Sequence, residues 1–205
     1  MRVFYFMRTD LVILADSNLN HPKSFMRKTT LLLAFLALQS CISIEGVTSD
    51  YGKLNEKQKA LITDLDHFGN ASEEKIYKIN GAELKTELEK YPQALVYLFK
   101  NGCTSDHCKP LVVYDLYAKK HGLKLFLVMN GYASLNASLD APHPWPLYAI
   151  DNVHYDSNYR NKYSRYFENE MLGKPKKAKE GAYEGNLYFF RNGKLEKITN
   201  ELPNS

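Results

Sequence analysis

The chain has 205 residues and a formal net charge of +4, and its 44% hydrophobic and 24% charged residues exclude a disordered or collagen-like protein. Residues 1–40 carry five Lys/Arg and two Asp/Glu, so the rest of the chain, with 22 against 21, is nearly neutral. Because this nearly neutral part of the chain lacks the excess of cations that binds phosphates, the composition argues against nucleic acid as the main partner. No apolar run reaches eighteen residues, which excludes a polytopic membrane protein, and three cysteines are too few for a disulfide scaffold.

The N-terminal region predicts an export signal that starts at Met26. Met26-Arg27-Lys28 precedes an apolar run at 31–38, and Leu38-Gln39-Ser40-Cys41 follows directly. A basic segment, an apolar stretch and a small residue, in this order, are typical of a secretory signal peptide. The last four residues resemble the lipobox of bacterial lipoproteins, which implies that Cys41 is lipidated and becomes the first mature residue. The alternative is a buried helix with an incidental Cys.

This interpretation divides the N-terminal part of the chain. Residues 1–25 are an over-extended start, 26–40 a lipoprotein signal peptide, and 41–50 a tether. The predicted location is the bacterial cell envelope, with the protein lipid-anchored and facing the periplasm. Residues 51–75 are predicted to form a helical extension, because apolar positions within 54–68 loosely fit an amphipathic helix.

Apolar periodicity then predicts alternating strands and helices. Strands are predicted at 76–79, 94–99, 123–129 and 147–150. Helices are predicted at 81–91, at 111–120 and along the four-residue stripe Tyr155, Tyr159, Tyr163, Phe167 and Met171. Asn192-Gly193 is the turn signal of a terminal hairpin over 186–199. This order predicts an α/β fold, a mixed central sheet with helices on both faces, in which 95–99 and 123–129 are the central parallel strands.

Two motifs carry a family resemblance. A buried strand leads into Cys103 and Cys108 ahead of a helix, with Lys109 after the second Cys, and 187–194 form a hairpin that ends in a basic residue, Asn and Gly. On these residues, about 76–200 resemble the thioredoxin-like family, and the lipobox adds a resemblance to its redoxin-type envelope lipoproteins. The resemblance implies a thioredoxin-like domain over residues 76–205.

The chain departs from the family pattern at two positions. Four residues separate Cys103 from Cys108, where the family has two. Gly185 stands where the family places a cis-proline before the hairpin. We therefore expect poor turnover of general substrates and a dedicated protein thiol or disulfide as the partner.

Cys103 and Cys108 are the candidate catalytic residues. A thiolate at a helix N-terminus has a lowered pKa and is a better nucleophile, and a second Cys nearby resolves the mixed disulfide. We expect Cys103 to attack and to be more exposed, and Cys108 to start the helix and to resolve. Asp106, His107 and Gly185 are supporting residues, with His107 a candidate for stabilising the thiolate or transferring protons.

The sequence favours a thiol–disulfide oxidoreductase and leaves two alternatives open. One is a non-catalytic binding lipoprotein whose disulfide is structural. The other is a Cu(I) or Zn(II) site at Cys103, His107 and Cys108, which lacks a fourth ligand. We expect no cofactor or metal, membrane contact through the lipid anchor, no nucleic acid, and a monomer. Trp145, among three prolines, is a candidate for lining a groove or for plugging the sheet edge.

Overall fold

A seven-stranded mixed sheet forms the centre of the computed structural model, which describes residues 45–105, 108–140, 145–179 and 184–203. The strands are β1 (Ile62–Asp64), β2 (Ile76–Ile79), β3 (Gln93–Phe99), β4 (Lys124–Met129), β5 (Leu147–Ile150), β6 (Leu187–Arg191) and β7 (Lys194–Thr199). The helices are α1 (Glu56–Lys59), α2 (Gly81–Leu88), α3 (Leu111–His121), α4 (Asn136–Leu139) and α5 (Arg160–Met171). The spatial order is β1-β2-β5-β4-β3-β6-β7, with β1 to β5 parallel and the β6–β7 hairpin antiparallel to β3.

The central strands bury side chains on both faces of the sheet. From β3, Val96 and Leu98 join a cluster that includes residues of α2 and α5, whereas Leu95 and Tyr97 join a second cluster with α3. β4 pairs with β3 in parallel over its whole length and is buried in the same two-sided way. The prediction of an α/β fold with a mixed central sheet and helices on both faces is confirmed, and the architecture is consistent with a thioredoxin-like sheet. No helix in the described part of the chain is long and apolar enough to cross a membrane.

The terminal hairpin turns where the sequence predicts. Asn192 and Gly193 both have positive φ, 49° and 72°, which a type I′ turn requires. At the end of α3, Gly122 takes the left-handed conformation with φ 65° and closes the helix. The hairpin turn places β7 beside β6, and β6 pairs antiparallel with β3, so that β7 forms this edge of the sheet.

Three predicted helices are shorter than the sequence pattern indicates, and α2, which ends at Leu88 instead of residue 91, differs least. The helix predicted over 54–68 is only α1, after which β1 pairs in parallel with β2 and extends the sheet. The tyrosine stripe becomes helical only at Arg160, because Asp156 has φ 47° and breaks the periodicity. Tyr155 is buried ahead of this helix, whereas Tyr159 is 67% exposed.

One carboxyl group on α5 makes the fold sensitive to pH. Burial raises the pKa of Glu168 from 4.5 to about 7, and a hydrogen bond with Tyr188 offsets only part of this effect. The folded protein therefore binds more protons than the unfolded chain between about pH 4.5 and 7, so its stability falls as the pH rises through this window.

Glu168→Gln should remove this slope and raise the free energy of unfolding at pH 8 by about 2 kcal/mol, a figure reduced for the partial exposure of the side chain. Urea denaturation at pH 4.5, 6 and 8 measures the effect. The exposed Glu184→Gln is the control and should keep the wild-type slope. An unchanged slope in Glu168→Gln would contradict the assignment.

Candidate functional site

The two candidate cysteines form a disulfide in the loop after β3. Their Cα atoms lie 5.9 Å apart, and both side chains are partly exposed. Pro110 is the N-cap of α3 and Leu111 its first residue, so Cys108 precedes the helix and does not begin it. The disulfide therefore lies between the carboxyl end of β3 and the N-terminus of α3, which has eleven residues.

Ser105 holds the two halves of the disulfide loop together. Its hydroxyl donates to Cys108 Sγ at 3.4 Å and lies 3.6 Å from Cys103 Sγ. Its carbonyl accepts the backbone N–H of Cys108 at 2.9 Å. Sequence reasoning did not single out Ser105; its only signal is that serine is a common turn residue.

Asn101 fixes the start of the loop to the neighbouring segment after β4. It is 3% exposed, its amide donates to the Gly131 carbonyl at 2.8 Å, and its carbonyl oxygen accepts from Ser138 Oγ at 2.6 Å. Gly102 follows with φ 64°, and a Cβ there would lie 2.9 Å from Ser134 Cβ. The Asn-Gly pair is a turn signal in the sequence, but the distant partners of Asn101 are visible only in the fold.

A cavity of about 320 Å³ opens beside the disulfide. Tyr97 and Phe99 of β3 contribute aromatic surface to it, and Tyr97 stacks on Tyr114 of α3 with ring centroids 4.0 Å apart. Burial and a hydrogen bond with Tyr114 raise the pKa of Tyr97, so this phenol stays neutral. The remaining lining residues are Lys100, Gly102, Cys103, Thr104, Cys108, Lys109, Pro110, Leu111, Ala137 and Ser138.

The supporting residues predicted from the sequence are not all at this site. Asp106, His107 and Cys41 lie outside the described residues. Gly185 does not line the cavity: it packs against β7, where a Cβ would lie 2.7 Å from both Ile198 Cγ2 and the Thr199 carbonyl oxygen. The φ of Gly185 is 154°, a conformation that residues with a side chain rarely adopt, and the neighbouring atoms of β7 leave no space for a Cβ.

Trp145, just ahead of β5, is hydrogen-bonded to α3. Its indole N–H donates to Asp115 Oδ1 at 2.6 Å, and Asp115 also pairs with Lys119 at 2.7 Å. The ring packs against the core cluster that contains Tyr97 and Tyr114. Of the two roles considered for Trp145, these contacts favour the loop plug.

The described part of the chain does not bring a set of metal ligands together. Within 45–105, 108–140, 145–179 and 184–203, no three His, Cys, Asp or Glu residues come together as a metal site. What the described geometry offers is a partly exposed disulfide in the loop after β3, next to a cavity of about 320 Å³. Such a disulfide is able to exchange with a thiolate that approaches one of its sulfurs.

No protein-family model, curated protein or solved structure matches the chain. The family resemblance therefore rests on the cysteine loop, the buried strand and the hairpin of this sequence. Function has to be inferred from the disulfide and its surroundings.

Proposed function

We propose that the protein is a thioredoxin-like thiol–disulfide oxidoreductase of the bacterial cell envelope, anchored through a lipid on Cys41. The observation that carries this proposal is the Cys103–Cys108 disulfide, which lines an open cavity between the end of β3 and the start of α3. Reactive disulfides need access for a thiolate and a stabilised leaving sulfur, and this position supplies both. The partner is a protein that presents a thiol pair or a disulfide.

The exchange proceeds in two steps. A partner thiolate attacks Cys103 Sγ, a partner–Cys103 bond forms, the Cys103–Cys108 bond breaks, and Cys108 leaves as a thiolate. A second partner thiolate then attacks the partner sulfur and releases Cys103 as a thiolate. Two electrons and two protons pass from the partner dithiol to this protein, and the reverse sequence reduces a partner disulfide.

The contacts of Cys108 support its role as the leaving and resolving sulfur. The Ser105 hydroxyl donates to Cys108 Sγ, and α3 begins three residues beyond it. A hydroxyl donor and a helix N-terminus both stabilise a thiolate. This arrangement leaves Cys103 as the sulfur that forms the mixed disulfide.

The disulfide is one of several contacts that hold its loop. The loop is already held by Asn101 and by the Ser105–Cys108 backbone hydrogen bond. A bridge between residues five positions apart removes less entropy from the unfolded chain than one that closes a long loop, but it still contributes about 2 kcal/mol in the chain-entropy model. The loop keeps the Asn101 and Ser105 contacts when the bridge opens, which supports exchange at this disulfide.

Ser105→Ala should slow reduction of the disulfide by dithiothreitol about fivefold, because about 1 kcal/mol of stabilisation of the departing Cys108 thiolate is lost. Stopped-flow thiol release measures the rate. Thr104→Val, which alters the same cavity without touching either sulfur in a hydrogen bond, is the control and should react like the wild type. Equal slowing in both variants would contradict the role of Ser105.

The function itself is tested by trapping partners. With the full chain expressed in a lipoprotein-processing bacterium, Cys108→Ser should accumulate mixed disulfides through Cys103, because the resolving sulfur is gone. Cys103→Ser is the matched control and should accumulate few. Non-reducing gels and mass spectrometry identify the adducts. Their absence in Cys108→Ser, or equal amounts in both variants, would overturn the proposal.

A further inference from the structure

Residues 45–50, here called the strap, cross the carboxyl edge of the sheet. The Ser49 carbonyl accepts the N–H of Tyr132, just after β4, at 2.8 Å. The Ser49 N–H donates to the Asn158 carbonyl at 3.0 Å, and the N–H of Arg160 donates to the Val47 carbonyl at 2.9 Å. The strap is therefore held by backbone hydrogen bonds to the segments that follow β4 and β5.

The disulfide lies at the same edge. β3, β4 and β5 are parallel, so the segments that follow them emerge together. Asn101, ahead of Cys103, donates to the Gly131 carbonyl, and the next residue, Tyr132, bonds the strap. One short segment after β4 thus links the disulfide loop to the strap.

Exposed apolar side chains lie on the strap and on the segment that it contacts. Seven large hydrophobic side chains of the described part are exposed, and four of them belong to the strap, the turn after it and the segment 151–159. These four, here called the edge patch, are Val47, Tyr51, Val153 and Tyr159, exposed by 52%, 40%, 76% and 67%. Thr48 forms a bridge with Tyr159, which ties the strap to that segment.

The length of the tether limits how far the edge patch lies from a lipid on Cys41. Four peptide steps join Cys41 to Glu45, which span at most about 14 Å when fully extended. The formal charges within 45–53 and 151–162 almost cancel: Glu45, Asp50, Asp151 and Asp156 stand against Lys53, Arg160 and Lys162. Contact with a lipid surface would thus depend on the valine and tyrosine side chains, and tyrosine favours the interface between lipid and water.

We propose that the edge patch rests on the lipid surface, so that the disulfide meets thiols close to the membrane. This inference rests on the lipid anchor of the proposed function. The short tether brings the patch to the headgroups, and burial of exposed apolar area there is favourable. The orientation restricts the partner to proteins whose cysteines lie near the bilayer.

Relaxation by spin-labelled lipids tests the orientation. Residues 44–205 form one compact unit with its own core, so the chain from Cys41 onward is used. With the disulfide oxidised, Cys41 is the only free thiol and is coupled to a maleimide lipid in nanodiscs that contain headgroup-nitroxide lipids. Amide signals of Val153 and Tyr159 should broaden at least about threefold more than those of Leu116 and Leu195, and 1 M NaCl should leave the difference in place.

Variants test whether the edge patch, and not the lipid anchor alone, determines the orientation of the domain on the lipid surface. Val153→Ser with Tyr159→Ser should abolish the difference, whereas Leu116→Ser, at a position on α3 that is 61% exposed, should retain it. Uniform broadening, stronger broadening at Leu116 or Leu195, or patch signals that shift with protein concentration in the absence of lipid would overturn the proposal. Because the coupling supplies the anchor, a failure of natural lipidation or of redox activity does not affect this result.

Discussion

Gly81→Ala should lower the free energy of unfolding by about 3 kcal/mol or more, because it forces overpacking against a helix backbone. A Cβ at this position would overlap the Phe167 carbonyl oxygen and would lie 2.8 Å from the Met171 N atom of α5. The Gly81 N–H also donates to Tyr155 Oη at 2.8 Å, and this hydroxyl donates to Glu170 at 2.8 Å. The added Cβ could avoid the Phe167 and Met171 backbone atoms only if α2 and α5 moved apart.

Gly69→Ala is the matched control for this prediction. No heavy atom lies within 4 Å of a Cβ built at Gly69, so the change should cost less than about 0.5 kcal/mol. Urea denaturation of both variants measures the difference. Equal stabilities would show that α2 and α5 are not in the close contact described.

Asn101→Ala should cost about 3 kcal/mol and loosen the disulfide loop, because the Gly131 carbonyl and the Ser138 hydroxyl lose a buried partner. Ser138→Ala disrupts the same network, so the double variant should be more stable than the sum of the single changes predicts. Asn136→Ala, at an exposed position on α4, is the control and should change the stability by about 0.5 kcal/mol or less. Strict additivity, or an equal loss in Asn136→Ala, would contradict the network.

Parts of the sheet were predictable from the sequence because local residue patterns determine their conformation. The apolar runs at 94–99 and 125–129 favour strands that are covered on both faces, and the structure places them in β3 and β4. Asn192-Gly193 specifies its own turn through positive φ at both residues. The disulfide loop lies between β3 and α3, both predicted elements, so its position in the fold followed from the sequence.

The remaining elements depend on distant contacts that a sequence pattern does not encode. β1 has three residues and exists because it pairs with β2, which overrides the loose helical pattern around it. Tyr155 fits the helical stripe but serves the interface of α2 and α5 through its hydroxyl. Asn101 and Ser105 act through partners brought together by folding, so no motif marks them.

The measurement that bears most directly on the account is the reduction potential of the Cys103–Cys108 pair. The purified protein is equilibrated with glutathione buffers, its thiols are alkylated, and the oxidised fraction is counted by mass. A midpoint between about −120 and −270 mV, the range of thiol oxidoreductases, is the predicted result. A disulfide that stays oxidised below about −300 mV would be structural and would contradict the proposed function.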